Sequence, residues 1–540
     1  MKNFLLSLSS KIFFLLILLT QFTSPPQQNY TILFVSEAIL LTVSFRFLFP
    51  PILRWTLGTF LLIGHIIQVV NFYETGRLIE VLTILNLPAA NTSIALEVLI
   101  KLMAIGIGYF LLWIPDLLNK TQIEYRSKFY LIIPIGVVLY CDYFFTLPAY
   151  SSFKTLKTAY RNMNYVPIRN DGVDFYRENI VINHNSNFRR HTFSTNNPNI
   201  ILIFAEGTSE LVLSKKLTPN TIHFLNSSIR FSNYFNHTAA TFRGIRGQMI
   251  SGYQYLGGYY PNKVGVGQMS QSEIKSKFSG YVESLPSILA QHGYRTVFCS
   301  PHSRKEQLAE MLKATGFEET YGFEDFRTSK QDLSDREQYE RTFQILQEHV
   351  KSDRPIFLSI YLVGTHHGMD SPDIKYGNGA NSYLNKFHNQ DIWFGQFMNK
   401  LSTSGLLKDT IVVWTTDHAT YPTSDFNSTF QVSRNYFIDK IPLGIYYQGV
   451  EPVVINAKNR NSLSLAPTLL DILGIHRQSN HFLGRSLFSD EESPFNRISN
   501  IGNKFYLLDD GVVVEKTRKE MPRDIVRLVN RYYGFSSSSY

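Results

Sequence analysis

Cysteine is almost missing: 540 residues contain two, Cys141 inside an apolar run and Cys299 far downstream. That excludes a disulfide-stapled scaffold, and a chain of this length has room for two or three domains. Also missing is any basic run interleaved with aromatics, which argues against nucleic acid as a partner despite a net charge of +9. Charge of either sign is sparse at the start. Residues 1–150 hold nine of the 52 Lys and Arg and seven of the 43 Asp and Glu, leaving 43 and 36 for residues 151–540. A hydrophobic content of 44% with 18% charged residues is too apolar for a disordered chain. The positive surplus suits phosphate groups or an anionic lipid surface.

What fills the charge-poor start is apolar. Five stretches near 3–22, 30–49, 55–73, 94–114 and 128–147 approach the length of a bilayer crossing, with joints such as Pro25-Pro26, Pro50-Pro51 and the polar segment from Asp116 to Lys128. No small-residue cleavage site is evident near Gln21-Phe22-Thr23 and four stretches follow, so the first reads as a retained helix. Lys2, Lys11, Arg46, Arg54, Lys120, Arg126 and Lys128 fall on one side, with Arg77 nearly alone on the other. The positive-inside rule puts the first set in the cytoplasm, and five crossings carry everything after Tyr150 to the outer face. The expected organisation is a five-helix transmembrane domain over 1–150, a linker over 151–197 and an extracytoplasmic domain over 198–540. Glu37, Glu97, Lys101 and Asp142 stand out within the spans. Glu97 and Lys101, at i and i+4, could pair on one helix or line a polar vestibule for a lipid headgroup.

From Pro198 onward, strand-like runs at 199–204, 294–298, 355–360, 410–414 and 442–446 alternate with helical patterns near 284–292, 304–315, 334–350, 381–403 and 464–473. Continuous β-branched runs bounded by turns mark strands buried on both faces, so the expected fold is α/β with a mostly parallel central sheet.

In such sheets ligands bind beyond the carboxyl ends of strands. The first run is followed by Ala205-Glu206-Gly207-Thr208-Ser209, the third by Val363-Gly364-Thr365-His366-His367-Gly368, and the fourth by Thr415-Thr416-Asp417-His418-Ala419. Carboxylate oxygen and imidazole nitrogen suit Mn²⁺, Mg²⁺ or Zn²⁺, and Glu206, Asp417 and His418 could supply three ligands. Glu206 taken alone could equally cap a helix or join an ion pair. A nucleophile candidate lies in the segment 235–248, where Thr241 precedes Arg243 and Arg246. A hydroxyl beside a divalent cation loses its proton more readily and can attack phosphorus, while guanidinium groups hold phosphoryl oxygens. Thr241 could instead cap a helix with a solvated positive face.

Taken together, these segments resemble the sulfatase-type branch of the alkaline-phosphatase superfamily, and most closely the lipoteichoic acid synthase and phosphoglycerol/phosphoethanolamine transferase families. The matching stretches are 199–206, the threonine segment around Thr241, 383–391, Trp414-Thr415-Thr416-Asp417-His418, and 464–475. The resemblance implies an enzyme of the bacterial inner membrane with its catalytic domain on the periplasmic side. It implies metal binding by Glu206, Thr241, Asp417 and His418. It also implies a ping-pong reaction in which Thr241 takes a phospho-headgroup from a phospholipid donor and passes it to a glycan or lipid acceptor. His366 looks like the family's phosphate-contacting histidine, with His367 the alternative register, and His302 is placed in an acceptor or headgroup pocket. Two departures bear on the headgroup. The Trp and Arg that grip glycerol phosphate in the synthases are replaced by Ser303-Arg304-Lys305-Glu306-Gln307-Leu308-Ala309, and the disulfides of the lipid A phosphoethanolamine transferases have no counterpart. Position 241 is Thr, which cannot mature to the formylglycine of sulfatases proper. A phosphodiesterase or sulfatase-like hydrolase, or a non-catalytic glycan-binding module, remain the alternatives.

Overall fold

The computed structural model describes residues 2–19, 25–49, 51–79, 84, 93–118, 147–163, 181–182, 197–253, 270, 272, 274, 283–326, 332–434, 437–476, 479–501, 504–509, 511–517, 519–523, 525–526 and 529. It divides into two compact units, Met1–Asn162 with Pro422–Asn435, and Met163–Tyr421 with Tyr436–Tyr540.

The first unit is helical. Helices Lys2–Leu19, Pro25–Val43, Thr59–Thr75 and Ser93–Leu111 coincide with four of the five apolar stretches, and the stretch 128–147 lies almost wholly outside the described residues. Among the described residues, one helical run, Pro51–Thr75, is long and apolar enough to cross a membrane; Phe4–Leu19 and Ile100–Leu111 are shorter apolar helices. Five crossings were expected; one candidate span is seen among the described residues. The buried carboxylates Asp116 and Glu37 inside this unit are partnered, as the cost of burying charge requires. Asp116 accepts from Lys11 and Arg46, and from Ser7 Oγ at 2.7 Å. Glu37 meets His65 Nδ1 at 2.5 Å and accepts from the Ala149 backbone N–H at 3.0 Å. Lys101 lies over the Tyr73 ring at 5.2 Å, while the side chain of Glu97 and the whole of Asp142 lie outside the described residues.

Where an aperiodic linker was expected from residue 151, the chain forms the helix Pro148–Met163. It buries Ala149, Ser152 and Ala159 at helical spacing and stacks Phe153 on Phe60 at 3.8 Å. Small and hydroxylated residues make this face, so a scan for large apolar residues passes over it.

The second unit is built on an eight-stranded sheet. Its strands are β1 (Asn199–Ala205), β2 (Ile229–Ser232), β3 (Arg295–Cys299), β4 (Glu319–Tyr321), β5 (Ile356–Leu362), β6 (Thr410–Thr416), β7 (Gly444–Tyr446) and β8 (Val453–Asn456). Their order across the sheet is β4-β3-β5-β1-β6-β7-β2-β8. All neighbours run parallel except β7, which is antiparallel to both β6 and β2. Alternate side chains enter two separate cores. From β1, Ile200, Leu202 and Phe204 join one cluster, with helices Leu285–Gln291, Gln307–Thr315 and Leu465–Ile472. Ile201, Ile203 and Ala205 join the other, with helices Asp335–His349 and Ser382–Thr403. Two covered faces explain the unbroken apolar runs, each fully buried aliphatic side chain contributing about 1.5–3 kcal/mol.

Local signals set the helix starts. Ser284 and Ser334 form capping boxes with Ser287 and Glu337, and the Asn381 side chain accepts from Leu384 N at 3.1 Å. Beyond the sheet, β9 (Ile498–Ile501), β10 (Lys504–Asp509) and β11 (Val512–Thr517) form a separate antiparallel sheet. Phe505 and Ile498 pack there with Ile250, at the end of the helix that begins at Thr241.

Candidate metal and nucleophile site

Strand register builds the site. β1 and β6 are parallel neighbours with Ala205 opposite Thr416, so Glu206 and Asp417 emerge side by side at their carboxyl ends. The ligand atoms of Glu206, Asp417 and His418 lie within 4.8 Å of one another, and all three residues are buried. His418 Nε2 stands 3.3 Å from Glu206 Oε1 and 3.2 Å from Asp417 Oδ2. Its Nδ1 faces the Ala419 carbonyl at 2.8 Å, which fixes the proton there and turns Nε2 toward the carboxylates. Asp417 Oδ1 accepts from the backbone N–H groups of Gly207 at 2.9 Å and His418 at 2.8 Å, whereas Oδ2 receives no hydrogen bond.

The three groups shift one another's protonation. Burial and the Glu206 carboxylate push Asp417 up to about 7. Burial works against a charged His418, yet Asp417 and Glu206 hold its imidazole up to about 9. Burial likewise opposes ionisation of Glu206, but His418 outweighs it and keeps that carboxyl well below the usual range. Two carboxylates, one oriented imidazole nitrogen and an unsatisfied buried oxygen fit a divalent cation of the Mn²⁺, Mg²⁺ or Zn²⁺ type.

Thr241 opens the helix Thr241–Ile250 and places its Oγ1 3.1 Å from Glu206 Oε2. Two backbone features bring it there. Ala240 has φ 73°, a conformation costing an L-residue on the order of 1–3 kcal/mol. Gly244 sits where an added Cβ would lie 2.2 Å from the Asp417 carbonyl oxygen, so glycine lets this helix close onto the end of β6. The helix N-terminus adds partial positive charge beside the hydroxyl.

The other expected residues are placed as follows. Arg243 is half-buried, and Arg246 is 1% exposed within the core. At 3.6 residues per turn, they stand about 200° and about 140° round the helix from Thr241. His366 is exposed, with Nδ1 2.8 Å from the His367 carbonyl, and its charge acts on Glu206. His367 is half-buried, its Nδ1 3.4 Å from Tyr383 Oη and its ring 5.4 Å from that of Tyr421. His302 pairs with Asp332 at 3.0 Å; that contact outweighs burial and raises its pKa. Its ring lies 6.0 Å from the ring of Tyr361.

Tyr361 is a member of the site that sequence reasoning missed. From the interior of β5 its hydroxyl donates to Glu206 Oε2. Burial and the neighbouring carboxylate keep the phenol protonated. The only sign in the sequence was a hydroxylated aromatic inside an otherwise apolar run. His237 was also missed: it is buried and neutral, with Nδ1 2.7 Å from Ser462 Oγ, and it anchors the loop leading to Thr241.

A mostly parallel sheet covered on both faces, with an Asp-His pair and a glutamate at adjacent strand ends, defines an alkaline-phosphatase-like α/β domain. The sulfatase family model matches residues 198–475, just over half of the chain, and the protein belongs to that family. Among curated proteins it is similar to lipoteichoic acid synthase 2 of Bacillus subtilis, at 22% identity over 60% of this chain and 52% of that one. The chain spans about half the length of the curated relatives it matches. Two crystal structures share the fold at a TM-score of 0.50. One is an alkaline phosphatase superfamily protein from Vibrio parahaemolyticus, 15% identical, covering 70% of this chain and 97% of that chain. The other is the lipoteichoic acid synthase LtaP from Listeria monocytogenes, 17% identical, covering 69% and 97%.

Proposed function

We propose that this protein is a membrane-anchored phosphotransferase. It moves a phosphoglycerol or phosphoethanolamine headgroup from a phospholipid to a glycan or lipid of the cell envelope through a phospho-Thr241 intermediate. The observation that carries the reading is the Thr241 hydroxyl, 3.1 Å from Glu206 at the edge of the Glu206–Asp417–His418 cluster. A divalent cation bound there supplies the positive charge that acidifies the hydroxyl and offsets the phosphoryl oxygens.

The chain's own groups do the rest. Glu206 orients the Thr241 hydroxyl, and Tyr361 holds Glu206 in turn. Thr241 Oγ1 gives its proton to Glu206, to which it already donates, and forms a bond to phosphorus as the bond from phosphorus to the diacylglycerol oxygen breaks; that oxygen takes a proton. In this reading the exposed His366 delivers that proton. An acceptor hydroxyl then attacks phosphorus and gives its proton to His366, while the bond to Thr241 breaks and the threonine takes its proton back from Glu206. Water as acceptor turns the same steps into hydrolysis. Thr at position 241 disfavours sulfate-ester cleavage through formylglycine.

The test is release of diacylglycerol from phosphatidylglycerol and phosphatidylethanolamine by the detergent-purified protein with Mn²⁺. Thr241→Ala is expected to abolish release while leaving the fold intact. Undiminished release in that variant contradicts the assignment.

A further inference from the structure

The turn that carries His366 is held from two sides by buried charges the reaction does not consume. Lys386, on the helix Ser382–Thr403, is 2% exposed and donates from Nζ to the His366 carbonyl at 3.1 Å. Its ammonium lies 4.0 Å over the Tyr383 ring and 5.8 Å from the Phe387 ring, and no carboxylate among the described residues forms an ion pair with it. A lysine is left buried on these terms only where a specific task offsets the cost.

Opposite it, Asp335 begins the helix Asp335–His349 and is 1% exposed. Its Oδ1 accepts from Gly364 N at 2.9 Å, and its Oδ2 has no partner. An added Cβ on Gly364 would lie 2.4 Å from that Oδ2, so glycine is what admits the carboxylate this close. Between the two, Thr365 Oγ1 donates to the Glu206 carbonyl at 2.5 Å and ties the turn to β1.

We propose that Asp335 and Lys386 are positioning residues forming an electrostatic clamp on the Val363–Gly368 turn, the anion holding its N–H and the cation its C=O, so that His366 is aimed at the substrate. The role of His366 rests on the transfer reading above; the clamp itself does not. The groups facing Lys386 are Tyr383 and Phe387 on its own helix and His366 and His367 on the turn, the imidazole of His367 interacting with it electrostatically, as do Glu206 and Asp370. Burial pushes its ammonium down to about 7, Glu206 and Asp370 opposing the shift. The cation is therefore complete below that pH and fades above it, whereas an arginine at the same place keeps its charge throughout.

The test uses the full chain in detergent with Lys386→Met, Lys386→Arg and Asp335→Asn. Two readouts are taken: hydrogen–deuterium exchange of peptides covering 360–370, and Mn²⁺-dependent turnover of bis(p-nitrophenyl) phosphate. Lys386→Met and Asp335→Asn are expected to speed exchange in the turn. Lys386→Met should lower kcat about tenfold or more with KM changed less than about twofold. Lys386→Arg should restore kcat and extend activity to higher pH than the wild type sustains. Unchanged exchange in Lys386→Met and Asp335→Asn overturns the clamp, and so does an alkaline limb in Lys386→Arg that overlays the wild type. If the wild type does not turn over the diester, the transfer reading is what fails, and exchange alone then decides the clamp. If Lys386→Met does not fold, Asp335→Asn and Lys386→Arg decide it by the same criteria.

Discussion

Thr241 lies beside three buried residues, Glu206, Asp417 and His418, whose donor atoms could hold a metal ion. Asp417 and His418 are pushed up to about 7 and about 9, so the metal-free cluster retains protons at neutral pH. A cation must displace them, because its ligands bind deprotonated. Metal affinity is accordingly expected to rise with pH from 6.5 to 8.5, and calorimetry in buffers of different ionisation enthalpy should register proton release. Asp417→Asn or His418→Gln should lower bound metal, measured by elemental analysis, at least tenfold. A flat pH dependence would mean that these residues are not the ligands. At this scale the sequence was partly legible. Glu206 and the Asp417-His418 doublet end apolar runs and so announce themselves. Tyr361 and Lys386 do not, because each looks like part of the core pattern around it. Arg246, singled out for its closeness in sequence to Thr241, is 1% exposed and stands about 140° round the helix from it.

The elements bring these residues together by close backbone approach. Gly244 is the tightest point, since a methyl group there would meet the Asp417 carbonyl oxygen at 2.2 Å and its carbon at 2.8 Å, neither of which can swing aside. Gly244→Ala must push the helix Thr241–Ile250 off the end of β6. The expected result is a loss of about 1–3 kcal/mol in denaturant unfolding. Turnover should fall by at least about tenfold, because even an ångström of misplacement is felt. Wild-type stability and turnover in that variant would show that the helix contact is not what sets the nucleophile. Strands β1, β3, β5 and β6 were readable because burial on both faces makes their sequences continuous. The short strands β2, β4 and β8 were not. Nor was the β9–β11 sheet, where Glu515 and Lys516 interrupt β11 and the order comes from pairing with β10.

At the scale of the whole molecule, the asymmetry of Lys and Arg in the first 150 residues predicts that the catalytic unit lies outside the cytoplasm. Cys299 is fully buried and burial pushes its thiol up to about 12, so it resists labelling; with Cys141 replaced by Ser, an introduced cysteine is the reporter. Ser489→Cys should react with a membrane-impermeant maleimide in intact cells. Labelling only after lysis would place the unit on the cytoplasmic side. The basic balance, +9 overall, suits work beside anionic lipid, where a phospholipid donor is at hand.

The central claim is a covalent bond between Thr241 and a phospho-headgroup. Intact-protein mass spectrometry after incubation with Mn²⁺ and either phosphatidylglycerol or phosphatidylethanolamine measures it directly. A mass increase equal to one phosphoglycerol or phosphoethanolamine group, present in the wild type and gone in Thr241→Ala, is the expected result and names the donor. The same increase on Thr241→Ala, or diacylglycerol released with no adduct trapped at any time, would contradict the account.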